Sequence, residues 1–132
     1  MYYYLLYFGV AKKEFTEQDF NLLLEQARSR NHYLGITGKL LHCEGAFIQL
    51  LEGVEVAVKE VYYSICNDER LIAVKKITEG NCEERYYADW TMDFKNVSIE
   101  EINKMENCSH PNVTEYVKTA SAVKLLKLLA KS

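Results

Sequence analysis

The sequence predicts an α+β fold: a ferredoxin-like β-α-β-β-α-β-β sheet with two helices on one face and C-terminal helices on the other. Three observations predict it. Apolar residues recur at strand and helix periods in that order along the chain. Glycines at 35, 38, 45 and 53 bracket two short apolar runs, 39–43 and 46–51, with Glu44-Gly45 as a tight turn between them. The chain has 132 residues, 48% of them hydrophobic, which suits one domain around one core.

The elements follow in order. Residues 2–10 are rich in tyrosine and leucine and read as the first strand, with Tyr3, Leu5 and Tyr7 on one face. Thr16 with Asp19 is a capping-box start. Phe20, Leu23, Leu24 and Ala27 then repeat at helical spacing, so a first helix runs to about residue 30 and closes at Asn31-His32. After the hairpin, Val54, Val58, Val61, Tyr62 and Ile65 mark a second helix over 54–66, left by the loop Asn67-Asp68-Glu69-Arg70. A fourth strand spans 71–78 and ends before Gly80-Asn81. A fifth spans 85–94, with Trp90, Met92 and Phe94 on one face. Ser98 with Glu101 starts a further helix. A last one spans 112–131, with Val113, Tyr116, Val117, Ala120, Val123, Leu126 and Leu129 or Leu128 inward.

Composition excludes several classes. A net charge of −3 argues against a dedicated nucleic-acid binder, which needs a basic footprint. No run of about 18 apolar residues is present to span a membrane. The first residues lack the basic leader of a signal peptide. Cysteines 43, 66, 82 and 108 have no Cys-x-x-Cys spacing, so they read as reduced thiols, not metal ligands. The expectation is a cytoplasmic protein with no metal.

The hairpin also carries a polar puzzle. Phe47, Gln49 and Leu51 share a face, so one amide stands between two large apolar residues. A buried amide without partners costs about 1–3 kcal/mol. Gln49 therefore bonds either a nearby backbone group or a ligand.

Gly35-Ile36-Thr37-Gly38, followed by Gly45-x-Phe47-x-Gln49-x-Leu51-Glu52-Gly53, resembles the BLUF family, the blue-light sensors that bind a flavin. Leu5-Leu6-Tyr7 matches the family's run ending in tyrosine. Asn31 lies seven residues before Gly38, as the family's asparagine does, and Trp90-Thr91-Met92 matches its Trp-x-Met. The resemblance covers residues 1 to about 95. It implies a flavin-binding domain over 1–96, with 97–132 a helical cap in the same folding unit.

The resemblance implies a site as well. Tyr7 and Gln49 are the photoactive pair, and Trp90 and Met92 relay the signal. Leu23 and Ile65 wall the ring, and Asn31, with its donors and acceptor, reads the ring edge. Tyr7, Gln49 and Met92 also contact the cofactor, joined by Arg30, Asp68 and Arg70. FAD is the first choice, with FMN or riboflavin as alternatives. The chain departs from the family at Arg30 (often asparagine or histidine), Ser64 (often arginine), Leu71 (often histidine) and Gly9 (often serine), mainly at the side-chain and phosphate end of the cofactor. The implied partners are a second copy of the chain and an unidentified downstream protein, with no nucleic acid and no membrane. Two other readings stand beside this one. One is a ferredoxin-like interaction module without flavin. The other is an acylphosphatase-like hydrolase, for which the Ala11-Lys12-Lys13-Glu14 loop lacks the glycine run of an anion cradle.

Overall fold

The protein is described over residues 1–132 by a computed structural model. Its elements are β1 (Tyr2–Ala11), α1 (Glu17–Leu34), β2 (Thr37–Cys43), β3 (Ala46–Gly53), α2 (Glu55–Cys66), β4 (Leu71–Cys82), β5 (Asp93–Val97), α3 (Ile99–Glu106), α4 (Val113–Thr119) and α5 (Ala122–Lys131). They form one sheet of order β4-β1-β3-β2-β5. β3 pairs antiparallel with both β1 and β2, so these two run the same way with β3 inserted between them. β5 adds to the open edge of β2 in parallel. This is the predicted ferredoxin-like arrangement with one extra strand.

Strand alternation divides the interior into two cores. Leu5 and Tyr7 of β1, Leu40 of β2 and Phe47 and Leu51 of β3 pack against Leu24 of α1 and Val58, Val61 and Ile65 of α2. The intervening residues, Leu6, Leu41, Cys43, Ile48 and Leu50, pack against Ile102, Val113, Tyr116, Leu125, Leu128 and Leu129 of the three C-terminal helices. Helices therefore cover both faces, as expected.

The hairpin turn is built from Glu44 (φ 47°) and Gly45 (φ 90°), the positive-φ pair that matches the twist of its strands. Glu44 also works outside the turn, where its carboxylate accepts from the Ile99 N–H at 3.0 Å at the start of α3. His42 closes the hairpin from within. Its Nε2 accepts from the Gly45 N–H at 3.0 Å, which leaves the proton on Nδ1 for Asn96 Oδ1, also at 3.0 Å.

Several boundaries differ from the sequence reading, each for a local reason. The first helix does not close at Asn31-His32. It runs to Leu34 and ends at Gly35, whose left-handed φ of 68° lets its N–H reach the carbonyls of Asn31 and His32. β4 does not stop before Gly80, because its pairing with β1 continues through Tyr4↔Gly80 to Tyr2↔Cys82. The fifth strand occupies 93–97, not 85–94. Side chains hold the N–H groups of Tyr86 and Tyr87 and the carbonyls of Thr91 and Met92, and this stretch makes no ladder. The predicted common face of Trp90 and Met92 accordingly does not exist: Trp90 is 53% exposed and Met92 is 1% exposed. The last helix is two helices. Ala120 is extended, and Ser121 caps a new start by accepting from the Lys124 N–H. The break rotates the inward face to Leu125, Leu128 and Leu129 and leaves Val123, predicted inward, exposed.

Candidate functional site

A cleft opens between α1 and α2 above the middle of the sheet. Its floor is one row of the ladder, in which Tyr7 of β1 lies directly opposite Gln49 of β3, and Gln49 opposite Leu40 of β2. Directly opposed side chains meet across an antiparallel pair. Here the Tyr7 hydroxyl donates to Gln49 Oε1. Tyr7 is 3% exposed and Gln49 also 3%. Burial pushes the Tyr7 pKa far up, against a smaller opposing pull from the Arg30 charge, so the phenol keeps its proton and acts as the donor. The Tyr62 ring stands beside it, 5.8 Å between centroids. The amide nitrogen of Gln49 is directed to Met92, whose Sδ it approaches at 3.1 Å. Gln49 thus touches two neighbours on opposite sides, one through oxygen and one through nitrogen. Turning its terminal amide would exchange them.

Leu23 and Ile65, the predicted walls, both line this cleft, as do Tyr7, Gln49, Arg30, Asp68 and Arg70. Arg70 grips Asp68 through Nη2–Oδ2 at 2.7 Å and through Nε, and these bonds hold the Asp68 carboxyl below its usual range. Arg30 makes a weaker bond. Its Nε and Nη2 both reach Asn31 Oδ1 at 3.3 Å, and burial lowers its pKa. Asn31 is fully buried and is not part of the lining. Its Nδ2 donates to the Thr91 carbonyl at 2.7 Å, so it ties α1 to the segment ahead of β5. Met92 likewise stands behind Gln49 and outside the lining, and Trp90 points away to solvent.

The sequence reading missed five lining residues: Gln26, Ala27, Leu40, Phe47 and Leu71. Three of these had a signal. Gln26 and Ala27 lie three and four residues after Leu23, one turn along the same helix face. Phe47 shares the strand face of Gln49. Two other residues were missed outside the cleft. Arg28 donates from Nε to the Met92 carbonyl at 3.1 Å, and Glu52 is 1% exposed on β3.

The donor set suits a flat, largely apolar ring with a hydrogen-bonding rim. The cleft has apolar sides (Leu23, Ala27, Ile65, Leu71), an apolar floor broken only by Tyr7 and Gln49, and a guanidinium, Arg30, with donors to spare beyond Asn31. Its enclosed volume is about 70 Å³. Small-molecule sites begin at roughly 300 Å³. Gln26, Arg30 and Arg70 are the long polar side chains of its lining, and a ring of flavin size would need them displaced.

Comparison with known proteins agrees with this geometry. The family model BLUF, described as sensors of blue light using FAD, matches residues 2–93. The photoactivated adenylate cyclase subunit beta-like protein FB of Euglena gracilis is 35% identical over 89 residues, 67% of this chain and 10% of that protein. The photoactivated adenylate cyclase subunit beta of Euglena longa shows the same identity over the same length. The chain spans about a tenth of the length of these relatives. Among solved structures, the photo-activated state of BlsA superposes with TM-score 0.84 at 25% identity, over 99% of this chain and 94% of that one. BlrB, a BLUF protein in its dark state, superposes with TM-score 0.79 at 24% identity, over 98% and 96%, a likeness of fold.

Proposed function

This chain belongs to the BLUF family of blue-light sensors using FAD, and from that premise we propose that Tyr7 and Gln49 are its photoactive pair and Met92 the first relay. The chain is a flavin-binding photoreceptor domain, a switch and not an enzyme with turnover. Family membership favours this over a flavin-free module or an acylphosphatase-like hydrolase.

Bound flavin supplies absorption of blue light and an excited ring that accepts an electron. Tyr7 would give an electron together with its phenolic proton, and would take both back afterwards. Burial keeps the phenol protonated before the event. During it, Gln49 loses its acceptor role toward the Tyr7 hydroxyl and turns its amide. After it, Gln49 presents the other end to its neighbours, including Met92. The hydrogen bonding that Gln49 offers around the site would then be changed with Tyr7 restored, which would move the absorption of a bound flavin slightly red. Leu23 and Ile65 would hold the ring, Arg30, bonded to the buried Asn31 behind it, would serve its edge, and Asp68 and Arg70 would serve its side chain. Output runs through the C-terminal helices to a downstream protein or a second copy of the chain. The exposed apolar surface around Val123 and Tyr86, beside Leu126, is the contact we assign to it.

The observation that carries the reading is the buried Tyr7–Gln49 hydrogen bond, with the Gln49 nitrogen turned to Met92. Visible spectra of the purified yellow protein, dark and after blue light, test it. The wild type should shift red and relax in the dark. Tyr7→Phe and Gln49→Leu should hold flavin and fail to shift, and Gln49→Glu should give a smaller or altered shift. A full wild-type shift from Gln49→Leu would remove Gln49 as the switch.

A further inference from the structure

One buried charge has no part in the light reaction. Glu52 follows Gln49 by three residues on β3, and strand alternation turns it to the opposite face of the sheet. Its carboxylate accepts from the backbone N–H groups of Tyr86 at 2.6 Å and Tyr87 at 3.1 Å, and from the Thr37 hydroxyl at 3.1 Å. The other end of the same segment is held from the flavin face, by Arg28 on the Met92 carbonyl at 3.1 Å and Asn31 on the Thr91 carbonyl at 2.7 Å. Between them the Gly38 N–H donates to the Trp90 carbonyl at 3.1 Å. Residues 86–92 thus have no ladder and yet are fixed at five backbone groups, the N–H of 86 and 87 and the carbonyls of 90, 91 and 92.

The side chains at the two ends of this segment face different cores. Met92 packs in the flavin-side core and touches Gln49. Tyr87 packs against the core under the C-terminal helices and borders a groove with Leu50, Val123 and Leu126. The Lys39 ammonium lies 5.9 Å from the Tyr87 ring centre. A buried carboxylate bound to backbone N–H groups makes strong, charge-assisted hydrogen bonds, and it cannot release them without standing unpaired. Within the segment the Trp90 N–H also donates to the Tyr87 carbonyl at 3.0 Å, which ties its two ends together.

We propose that Glu52 and Arg28 are positioning residues that make residues 86–92 a stiff lever, carrying the turn of the Gln49 amide, felt at Met92, across the end of the sheet to Tyr87 and α5. This rests on the light reaction proposed above, so the test reads the two steps separately on the flavin-loaded full chain. Visible spectra report the photoreaction. Amide hydrogen exchange, dark and under steady blue light, reports transmission to Tyr86–Tyr87 and α5.

The wild type should show both a red shift and a light-dependent change in exchange over 86–87 and 122–131. Glu52→Gln and Arg28→Ala should keep the red shift while that exchange difference falls on the order of tenfold, the scale of one strong hydrogen bond. Arg28 is exposed, so Arg28→Ala stands as the test even if Glu52→Gln fails to fold. Arg28→Lys, which can still donate to the Met92 carbonyl, should restore the difference. A merely structural role would lower stability without separating the two readouts. A full-size exchange difference in Arg28→Ala overturns the proposal, as does loss of the red shift in that variant or absence of any exchange difference in the wild type. A wild type without a red shift instead overturns the light reaction itself.

Discussion

The two faces of the sheet are made from alternate residues of the same strands, and they have been finished differently. Toward α3, α4 and α5 the strands present Leu6, Leu41, Ile48 and Leu50, each at most 2% exposed, and the helices answer with Ile102, Leu125, Leu128 and Leu129. Toward α1 and α2 the same strands present Tyr7 and Gln49, and the helices stand apart above them with a cleft between. One face is closed by apolar packing at its centre, with the buried polar groups Glu52 and Lys39 nearer its end. The other keeps a bonded polar pair at its centre, where packing alone would favour hydrocarbon. The difference teaches that the sealed face carries the stability that lets the open face hold a switch.

The largest effect should come from removing the seal. We propose that 97–132 is an integral cap on the 1–96 unit, and a chain ending at Asn96 should aggregate, since Leu6, Leu41, Ile48 and Leu50 would face water. Size-exclusion chromatography checks this, and a soluble, flavin-binding product would break the comparison. Next in size is Leu128→Ala, which should cost about 2–5 kcal/mol in urea unfolding while leaving the light-induced red shift unchanged. Leu23→Ala, at the half-buried cleft wall, should do the reverse, with a small stability change and weakened flavin retention.

A finer test concerns the polar pair. Gln49→Leu leaves the Tyr7 hydroxyl buried without its acceptor and should cost about 1–3 kcal/mol. Adding Tyr7→Phe should recover most of that loss, because removing both partners is nearly neutral. A double-mutant cycle by urea unfolding measures the coupling.

The smallest predicted effect is on the hairpin. Burial holds the His42 pKa below its usual 6.5, against a smaller upward pull from Asn96. Below that pH the unfolded chain binds a proton that the folded chain refuses. His42's contribution is therefore present above pH 6.5 and lost as pH falls toward the folded value, at a slope of at most about 1.4 kcal/mol per pH unit. Unfolding midpoints between pH 7.5 and 5.5 should show that slope in the wild type, and His42→Gln should flatten it.

Much of this was legible in the sequence, and the gaps have a common cause. Periodicity located α1 and α2, because each buries one clear face, while β1 and the hairpin, buried on both faces, were marked by short apolar runs and the glycines around them. The motif residues Tyr7, Gln49, Leu23 and Ile65 converge on the cleft. What failed was the stretch from 85 to 92. Its residues look like a strand by composition, but four backbone groups at its two ends are taken by the side chains of Glu52, Asn31 and Arg28, far away in the chain. No local pattern records such a claim. The same holds for Asn31, which occupies the last turns of α1 because the left-handed Gly35 lets the helix continue past it. In the C-terminal region the leucines of 123–129 fit more than one helical face, and only the cap at Ser121 decides which is inward.

The insertion of β3 between β1 and β2 has a consequence for how the protein is made. Tyr7 and Gln49 are 42 residues apart, and they become neighbours only when the third strand enters between the first two. Such non-local pairing is slow to form and comes late compared with a helix turn. The pigment site does not pre-exist in any local fragment of the nascent chain. Newly made protein should stay colourless until the central strands have zipped together, so the gain of yellow absorbance during refolding with flavin would time the completion of the sheet itself.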